Sequence, residues 1–98
     1  MVKHVILWKL KDELAGDEKR AIMEKIKYEI ENLEGKIPGL TKMNIIIDKL
    51  DSSSADLMLD STFESEDALK NYSTHPDHVA AANNFVRPYI KDRLCLDF

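Results

Sequence analysis

The stretch from Tyr72 to His78, which reads Tyr-Ser-Thr-His-Pro-Asp-His, holds the side chains whose types and spacing best suit proton transfer. Pro76 favours the first position of a helix, so His75 is predicted to be the N-cap and His78 to lie in the first turn. The positive end of the helix dipole disfavours an imidazolium there, although Asp77 acts in the opposite direction. A neutral His78 can accept a proton as a general base. The alternative is that the stretch is only the start of a helix.

A second candidate, His4, lies on a predicted strand with Ile6 and Trp8 on the same side. If that side faces the helices, the imidazole lies in the space between sheet and helices and lines any pocket there. The alternative is a buried histidine that is hydrogen-bonded to the backbone. Trp8 is favoured as a core side chain over a stacking platform for a ligand. Together with Met23 and Leu57, it is expected to set the volume of the pocket.

A metal site is a further possibility, because three histidines can bind zinc. His75 and His78, with His4, would supply the imidazoles. However, a histidine before a proline is held extended and usually points away from the helix that follows. We therefore predict no metal and no other cofactor. The single cysteine, Cys95, is interpreted as a small core residue and not as a nucleophile.

The composition of the 98-residue chain is that of one globular domain, since 44% of its residues are apolar and 33% are charged. A net charge of −4, with no run of basic residues, argues against a nucleic-acid partner. The longest apolar stretches are too short to span a bilayer, and no secretory signal pattern opens the chain. A single cysteine excludes an internal disulfide and suits a reducing compartment, so we expect a cytoplasmic location.

Four segments have the alternation or the β-branched composition of strands: residues 2–10, 40–50, 55–63 and 90–98. The side of the first strand opposite His4 still carries Val5 and Leu7, so both faces of this strand should meet apolar groups. A short loop joins the second and third strands as an antiparallel hairpin. The last strand is predicted to place four apolar residues on one face: Ile90, Leu94, Leu96 and Phe98.

A long amphipathic helix is predicted to begin near residue 16 and to end at the glycines and proline of residues 35–39. Its apolar residues recur every three or four positions and form one stripe: Ile22, Ile26, Ile30, Leu33 and Ile37. Ser65 is predicted to cap a second, short helix that runs to about residue 73. A third helix is predicted to begin at Pro76.

This order of elements predicts an α+β fold, the ferredoxin-like split βαβ arrangement, with a four-stranded antiparallel sheet and helices on one face. The other face would be bare in a single chain. It is predicted to carry Val5, Leu7, Ile46 and Met58 or their neighbours, which is a large apolar area to leave in water. Two such sheets packed face to face would form a homodimer, a dimeric α+β barrel.

Five short motifs, in this order and spacing, resemble the stress-responsive A/B barrel domain family, also called Dabb, over essentially the whole chain, as a single domain of residues 1–98. They are Val2-Lys3-His4, Ile37-Pro38-Gly39-Leu40, Thr62-Phe63-Glu64-Ser65, Tyr72 with His75-Pro76-Asp77-His78, and Arg93-Leu94-Cys95-Leu96-Asp97-Phe98. The resemblance implies a ferredoxin-like fold and a tight homodimer. Many members of the family are named only for induction under stress.

The chain also resembles one plant member of the family, olivetolic acid cyclase, at His4, Tyr72 and His78. That enzyme closes a linear polyketide thioester by an intramolecular aldol condensation without a cofactor. The resemblance implies that His78 removes a proton from a substrate carbon, that Tyr72 holds or polarises the histidine or a carbonyl, and that His4 lines the pocket. Where the cyclase has a further pocket histidine this chain has Leu57, which cannot donate a hydrogen bond and implies either a different substrate or a different mode of binding. Leu57 is therefore assigned to substrate binding, with His4 and Trp8.

The sequence thus leaves three functional hypotheses open. The first is a homodimeric small-molecule-binding protein that acts as a cofactor-independent, polyketide-cyclase-like enzyme on a small carbonyl compound. The second is a non-catalytic stress-response protein or a binding protein for an apolar ligand. The third rests on analogy of fold, because cofactor-free monooxygenases and some haem-binding proteins share the dimeric barrel, and no residue pattern selects it.

Overall fold

The computed structural model describes residues 1–98 and contains four strands and three helices in the predicted order. They are β1 (Val2–Leu10), α1 (Gly16–Glu31), β2 (Leu40–Ile46), β3 (Leu57–Phe63), α2 (Glu66–Thr74), α3 (Pro76–Ala81) and β4 (Ile90–Asp97). A π-helical turn (Ala82–Val86) and a 3-10 turn (Arg87–Tyr89) continue α3 towards β4. None of the helices combines the length with the apolar composition that crossing a membrane requires.

The four strands form one antiparallel sheet in the order β2-β3-β1-β4. The first strand is central, so its side chains are flanked on both sides by other strands. The helices cover one face of this sheet, and this confirms the predicted ferredoxin-like α+β arrangement. Because β1 and β4 are neighbours, residues from the two ends of the chain lie side by side on the sheet.

The hydrophobic core lies between the sheet and the helices. In β1 the side chains of Ile6, Trp8 and Leu10 are buried on the helix side, whereas Leu7 between them is exposed. This alternation follows from the two-residue period of a strand. On the facing side α1 buries Ile26 and Ile30, which are four residues apart and therefore share one face of the helix.

Three boundaries differ from the sequence-based predictions. The helix α1 ends at Glu31, but Leu33 and Ile37 of the predicted apolar stripe are still buried, from the turns that follow the helix. The second strand ends at Ile46 instead of residue 50, and the third begins at Leu57 instead of residue 55. The connection between these two strands is correspondingly longer, and most of it is exposed.

The prediction that Ile90 shares one face of β4 with Leu94, Leu96 and Phe98 is wrong. The register between β1 and β4 shifts after Lys9, so that Ile90 pairs with Leu10 and packs against the core on the helix side. Leu94 and Leu96 remain on the outer face. The shift is a bulge, which inserts one extra residue into a strand and reverses the alternation beyond it. A period-two reading of the sequence cannot detect it.

The outer face of the sheet carries the apolar side chains that the sequence analysis predicted to be bare. Leu7 and Ile46 are about two-fifths exposed, and Leu94 and Leu96 are 72% and 64% exposed. With Phe98, these residues form an apolar surface that no part of the chain covers. We call it the outer apolar face. Its extent is unusual for a surface that stays in water.

The free edge of β2 is covered by side chains from α1 and the turn that follows it. The carboxylate of Glu31 accepts a hydrogen bond from the Ile45 N–H at 2.9 Å, and that of Glu34 accepts from the Met43 N–H at 2.7 Å. The Lys27 ammonium donates to the Ile45 carbonyl oxygen at 2.6 Å. Backbone groups of an edge strand otherwise remain available for pairing with another strand. At this edge the amides of Met43 and Ile45 and the carbonyl of Ile45 are satisfied within the chain.

Asp56 is a buried carboxylate that fixes the chain just before β3. It accepts hydrogen bonds from the Leu10 N–H at 2.8 Å and from the ammonium groups of Lys19 and Lys49 at 3.0 and 3.1 Å. Burial by itself raises the pKa of Asp56, but these donors outweigh it and hold the pKa below its ordinary value. The ionised side chain therefore joins the end of β1 to α1 and to the β2–β3 connection.

Candidate functional site

A cavity of about 380 Å³ lies between the sheet and the helices. It brings together four of the five residues that the sequence analysis assigned to the site: His4, Trp8, Tyr72 and His78. Nine of its fourteen lining residues are hydrophobic, and its volume falls in the range that small-molecule sites occupy. An apolar wall with a few polar groups can hold a small organic molecule in a defined orientation.

Leu57, the fifth assigned residue, does not line this cavity. It pairs with Trp8 across β1 and β3 and is buried in the core, with 3% of its surface exposed. It also borders a shallow depression beside the β2–β3 connection. Contact between Leu57 and a substrate stays a prediction, and it does not follow from the position of the cavity.

His78 is positioned by the start of α3, where His75 is the N-cap as predicted. The Nδ1 atom of His75 accepts a hydrogen bond from the Asp77 N–H at 3.1 Å. The Nδ1 atom of His78 lies 3.3 Å from the carbonyl oxygen of Ser73. A carbonyl oxygen can only accept, so Nδ1 of His78 carries the proton and Nε2 is left as the acceptor in the neutral ring.

Partial burial keeps this imidazole neutral. Loss of water lowers the pKa of His78 below its ordinary value of 6.5, and the nearby positive charges of Arg87 and Arg93 add to the effect. The hydrogen bond to Ser73 acts in the opposite direction but is outweighed. At neutral pH, His78 therefore has a free lone pair on Nε2, as a general base requires.

Tyr72 lies directly against His78, because only one residue, His75, separates the end of α2 from the start of α3. The centroids of the two rings are 4.1 Å apart, and the ring of Phe63 packs on Tyr72 at 4.9 Å. Burial raises the pKa of Tyr72 well above its ordinary value of 10, so the phenol stays protonated. Its hydroxyl forms no hydrogen bond within the chain, and it is available to donate one to a molecule in the cavity.

His4 forms a hydrogen-bonded pair with Asp97, a residue that the sequence analysis did not single out. The Nδ1 atom of His4 lies 2.5 Å from Oδ1 of Asp97, because the two residues face each other across β1 and β4. Burial alone raises the pKa of Asp97, but hydrogen bonds from His4 and Cys95 outweigh it and lower the pKa. The Nδ1 of His4 donates to the carboxylate, which fixes the orientation of the ring and directs Nε2 away from Asp97.

Cys95 lies beside this pair, and its interpretation as a core residue is wrong because it is exposed on the edge strand β4. Its thiol donates to Oδ1 of Asp97 at 3.4 Å. Partial burial, and then this hydrogen bond, raise the pKa of the Cys95 thiol. The thiol is thereby held in its protonated form, which is a poor nucleophile.

The side chains of His4, Cys95 and Asp97 are the ones whose donor atoms come close enough to suggest a metal ion, all within 4.8 Å of one another. Two ligands of one tetrahedral zinc ion stand about 3.3 Å apart. The 2.5 Å between Nδ1 of His4 and Oδ1 of Asp97 is shorter than that and matches a hydrogen bond. The structure does not bring His75, His78 and His4 together as a ligand set.

Two arginines complete the lining of the cavity, Arg87 from the 3-10 turn and Arg93 from β4. Both were missed, Arg87 because it lies in an irregular connection and Arg93 because its neighbouring strand is distant in the sequence. Arg93 pairs with Trp8 across β1 and β4, so its side chain points to the helix side of the sheet. A signal existed for Asp97 and Arg93: pairing the last strand with the first places both opposite residues already assigned to the site.

These features define a ferredoxin-like α+β protein with a histidine- and tyrosine-lined cavity between sheet and helices. The sequence profile of the stress responsive A/B barrel domain, Dabb, matches residues 2–98. The chain therefore belongs to this family. Among curated proteins, no significant match to the sequence is found.

Solved structures of similar proteins share the fold. A dimeric ferredoxin-like protein of unknown function from Bacteroides fragilis is 34% identical, with a TM-score of 0.90 over 99% of this chain and 93% of that one. A second dimeric ferredoxin-like protein of unknown function, from Thermobifida fusca, is 26% identical, with a TM-score of 0.81 over 99% and 88%. A hydroxynitrile lyase from Passiflora edulis is 19% identical, with a TM-score of 0.79 over 99% and 90%. The last likeness is one of fold alone.

Proposed function

We propose that this protein is a homodimer that binds a small carbonyl compound between sheet and helices and acts on it as a cofactor-independent, cyclase-like enzyme. His78 is the base that removes a proton from the carbon next to the carbonyl group. Tyr72 donates a hydrogen bond to the carbonyl oxygen, and His4 and Trp8 hold the ligand. The proposed location is the cytoplasm, which rests on the sequence alone.

One observation carries this proposal: a neutral His78 and a protonated Tyr72 stand ring to ring in the same cavity. The Ser73 carbonyl fixes the His78 tautomer, and burial sets the pKa of both side chains in the required directions. A base and an acid whose environments push their pKa values apart are what general acid-base catalysis needs. The centroid separation of 4.1 Å lets both reach one small molecule.

In the proposed step, Nε2 of His78 takes the proton from the carbon beside the carbonyl. The electron pair of the C–H bond forms a carbon–carbon double bond, and the carbonyl π electrons move onto oxygen. The hydroxyl of Tyr72 stabilises the resulting enolate by a hydrogen bond. If the ligand has a second carbonyl group, the enolate carbon can attack it and close a ring by an intramolecular aldol addition, in which the second oxygen becomes an alkoxide and takes back the proton from Nε2 of His78.

The homodimer is supported by the outer apolar face. Leu94, Leu96 and Phe98 are each more than three-fifths exposed in the single chain. Burial of such side chains is favourable by roughly 25 cal/mol per Å² of apolar surface. The similar proteins from Bacteroides fragilis and Thermobifida fusca are dimeric. A second copy that packs its sheet against this one would cover the face.

The alternative function is non-catalytic binding of an apolar ligand or a role in the stress response. It is favoured by the lining of the cavity, of which nine residues are hydrophobic. A binding protein would hold its ligand in the same cavity as the enzyme but would remove no hydrogen from it.

Deuterium exchange tests the proposal without knowledge of the natural substrate. A linear methyl ketone, 2-heptanone, is incubated with the protein in D₂O, and loss of the hydrogens beside the carbonyl is followed by proton NMR. The wild type should accelerate the exchange, and His78→Ala should reduce the acceleration by at least about 100-fold, the usual contribution of a general base. Tyr72→Phe should reduce it by about tenfold, because one hydrogen bond to the enolate is lost.

The matched control is His75→Asn, which changes the neighbouring histidine and keeps a side chain able to cap α3. It should retain the wild-type rate. Binding of 2-heptanone without accelerated exchange would favour the non-catalytic alternative. Equal exchange in the wild type and in folded His78→Ala would refute the role of His78.

A further inference from the structure

The charges that line the cavity differ from those of the rest of the chain. The chain has 18 acidic residues against 14 lysines and arginines, yet none of the fourteen lining residues is acidic. The lining contains two arginines, Arg87 and Arg93. Both are exposed, so they lie where the cavity opens to solvent. The formal charges on the lining side chains are therefore all positive, although the chain as a whole has a negative net charge.

Neither of these arginines forms an ion pair within the chain, although Asp97 is close enough to Arg93 for the guanidinium to help lower the pKa of that carboxyl. Arg20, the other arginine of the chain, forms ion pairs with Glu24 and Asp48. In contrast, Arg87 donates to the neutral amide oxygen of Asn83, and it forms no ion pair. Arg93 also has no carboxylate within ion-pair distance. An unpaired guanidinium offers a planar fork of donors that matches a carboxylate.

We propose that the ligand of this cavity is a small carboxylate, a short-chain oxo acid whose charged end is held by Arg93 and Arg87. This proposal rests on the proposed function and specifies its substrate class. The carbon chain would lie along apolar lining residues such as Ile6 and Leu59, and the oxo group would reach His78 and Tyr72. Attraction between opposite charges is stronger in a partly enclosed cavity than in open water.

The same charges suit the proposed chemistry. An enolate carries negative charge that the ground state of the ketone lacks, so positive groups near the cavity stabilise it more than the substrate. They also disfavour a protonated His78, which keeps the base in its active form. One pair of arginines thus serves both the binding of an anion and the removal of a proton.

The test compares two probes of equal carbon skeleton, 5-oxohexanoate and its uncharged methyl ester, by titration calorimetry at low salt. The acid should bind at least about tenfold more tightly than the ester. Arg93→Gln and Arg87→Gln should each remove most of this preference and leave the affinity for the ester within about twofold. Arg20→Gln, which changes an arginine already paired with two carboxylates, should change neither affinity. Added salt should weaken binding of the acid alone.

The outcomes separate this proposal from the proposed function. Equal affinities for acid and ester, with both ligands shifting the NMR signals of His78, would overturn the carboxylate and leave the small-molecule function intact. Binding of the acid that survives Arg93→Gln together with Arg87→Gln would also overturn it. Arginine-dependent binding of the acid, with no accelerated exchange of any ketone, would support the ligand class and refute the enzyme. Absence of binding by either probe would overturn both.

Discussion

The imidazole of His78 is expected to titrate below pH 6.5, because burial and the charges of Arg87 and Arg93 disfavour its protonated form. A base acts only when it is unprotonated, so the rate of ketone exchange should rise with pH and level off above the pKa of His78. The midpoint should lie below the ordinary value of 6.5. The pKa can also be measured without a substrate, by NMR titration of the imidazole C–H signals.

Replacement of a nearby charge tests the direction in which the pKa of His78 is shifted. Arg93→Gln removes a positive charge that opposes protonation, so the pKa of His78 should rise and the NMR midpoint should move to higher pH. Arg20→Gln serves as the control, since Arg20 is not among the charges that act on His78. A midpoint above 6.5 in the wild type, or a downward shift in Arg93→Gln, would contradict the electrostatic account of the site.

For individual residues, the sequence predicted those positions that depend on neighbouring residues in the chain. The cap at His75 and the position of His78 follow from one proline and a three-residue spacing. The partners of His4 could not be read in the same way. Asp97 is 93 residues away, and no turn joins β1 to β4 to fix their register. Arg93 was missed for the same reason.

Among the secondary-structure elements, the covered edge of β2 leads to a prediction about the hydrogen exchange of its backbone amides. The amide of Ile45 is bound by Glu31 and that of Met43 by Glu34. Glu31→Ala should accelerate hydrogen exchange of the Ile45 amide by at least about tenfold, because its acceptor is lost, and should leave the Met43 amide unchanged. Glu34→Ala should do the reverse. The two variants are controls for each other in one NMR experiment, and uniform acceleration would indicate general loosening instead.

The approach of β2 to α2 depends on a glycine. Gly39 has a φ of +82°, and a Cβ at this position would stand 2.5 Å from Cβ of Ala68 in α2. Gly39→Ala should therefore lower the free energy of unfolding by about 2–4 kcal/mol, from backbone strain and overpacking together. Gly35 has a similar φ of +84° but open space around it, so Gly35→Ala should cost only about 1 kcal/mol. Urea denaturation would measure both, and equal losses would contradict the close contact.

The elements themselves were predictable because each carries its own period and its own end signals. The cap at Ser65 was predicted and is confirmed, with its hydroxyl accepting from the Ala68 N–H at 3.1 Å. The end of α1 was misplaced because the apolar stripe continues through Leu33 and Ile37 after the helix has ended. Buried residues in a turn and buried residues in a helix are both apolar, so the sequence pattern does not distinguish the two. The π-helical turn has no such pattern and was not predicted.

For the whole molecule, the outer apolar face predicts an association that depends on apolar contact. Leu96→Asp places a charge on this face and should convert a dimer of about twice 11.3 kDa into a monomer, as measured by light scattering after gel filtration. Tyr28→Asp changes a similarly exposed residue on α1, away from the sheet, and should leave the dimer intact. The melting temperature of the wild type should rise with protein concentration, and that of Leu96→Asp should not.

A wild-type protein that is monomeric at all concentrations would contradict the dimer. A dimer that survives Leu96→Asp but is lost in Tyr28→Asp would place the interface on the helices. The sequence foresaw this face from the second apolar side of β1, which needs something to cover it. It could not foresee how far β4 extends the face, because that depends on the bulge near Lys9.

The unequal edges of the sheet limit how copies of this chain can polymerise. Growth of an endless β-ribbon requires every molecule to offer two open edges, one for the copy before it and one for the copy after it. Glu31 and Glu34 bind two backbone amides of the β2 edge, whereas the backbone of the β4 edge is bound by no side chain. Two copies that pair through their β4 edges leave no open strand edge for a third copy. Association of this kind therefore stops at two chains. The carboxylates of Glu31 and Glu34 thus hinder growth of fibres when the protein is concentrated.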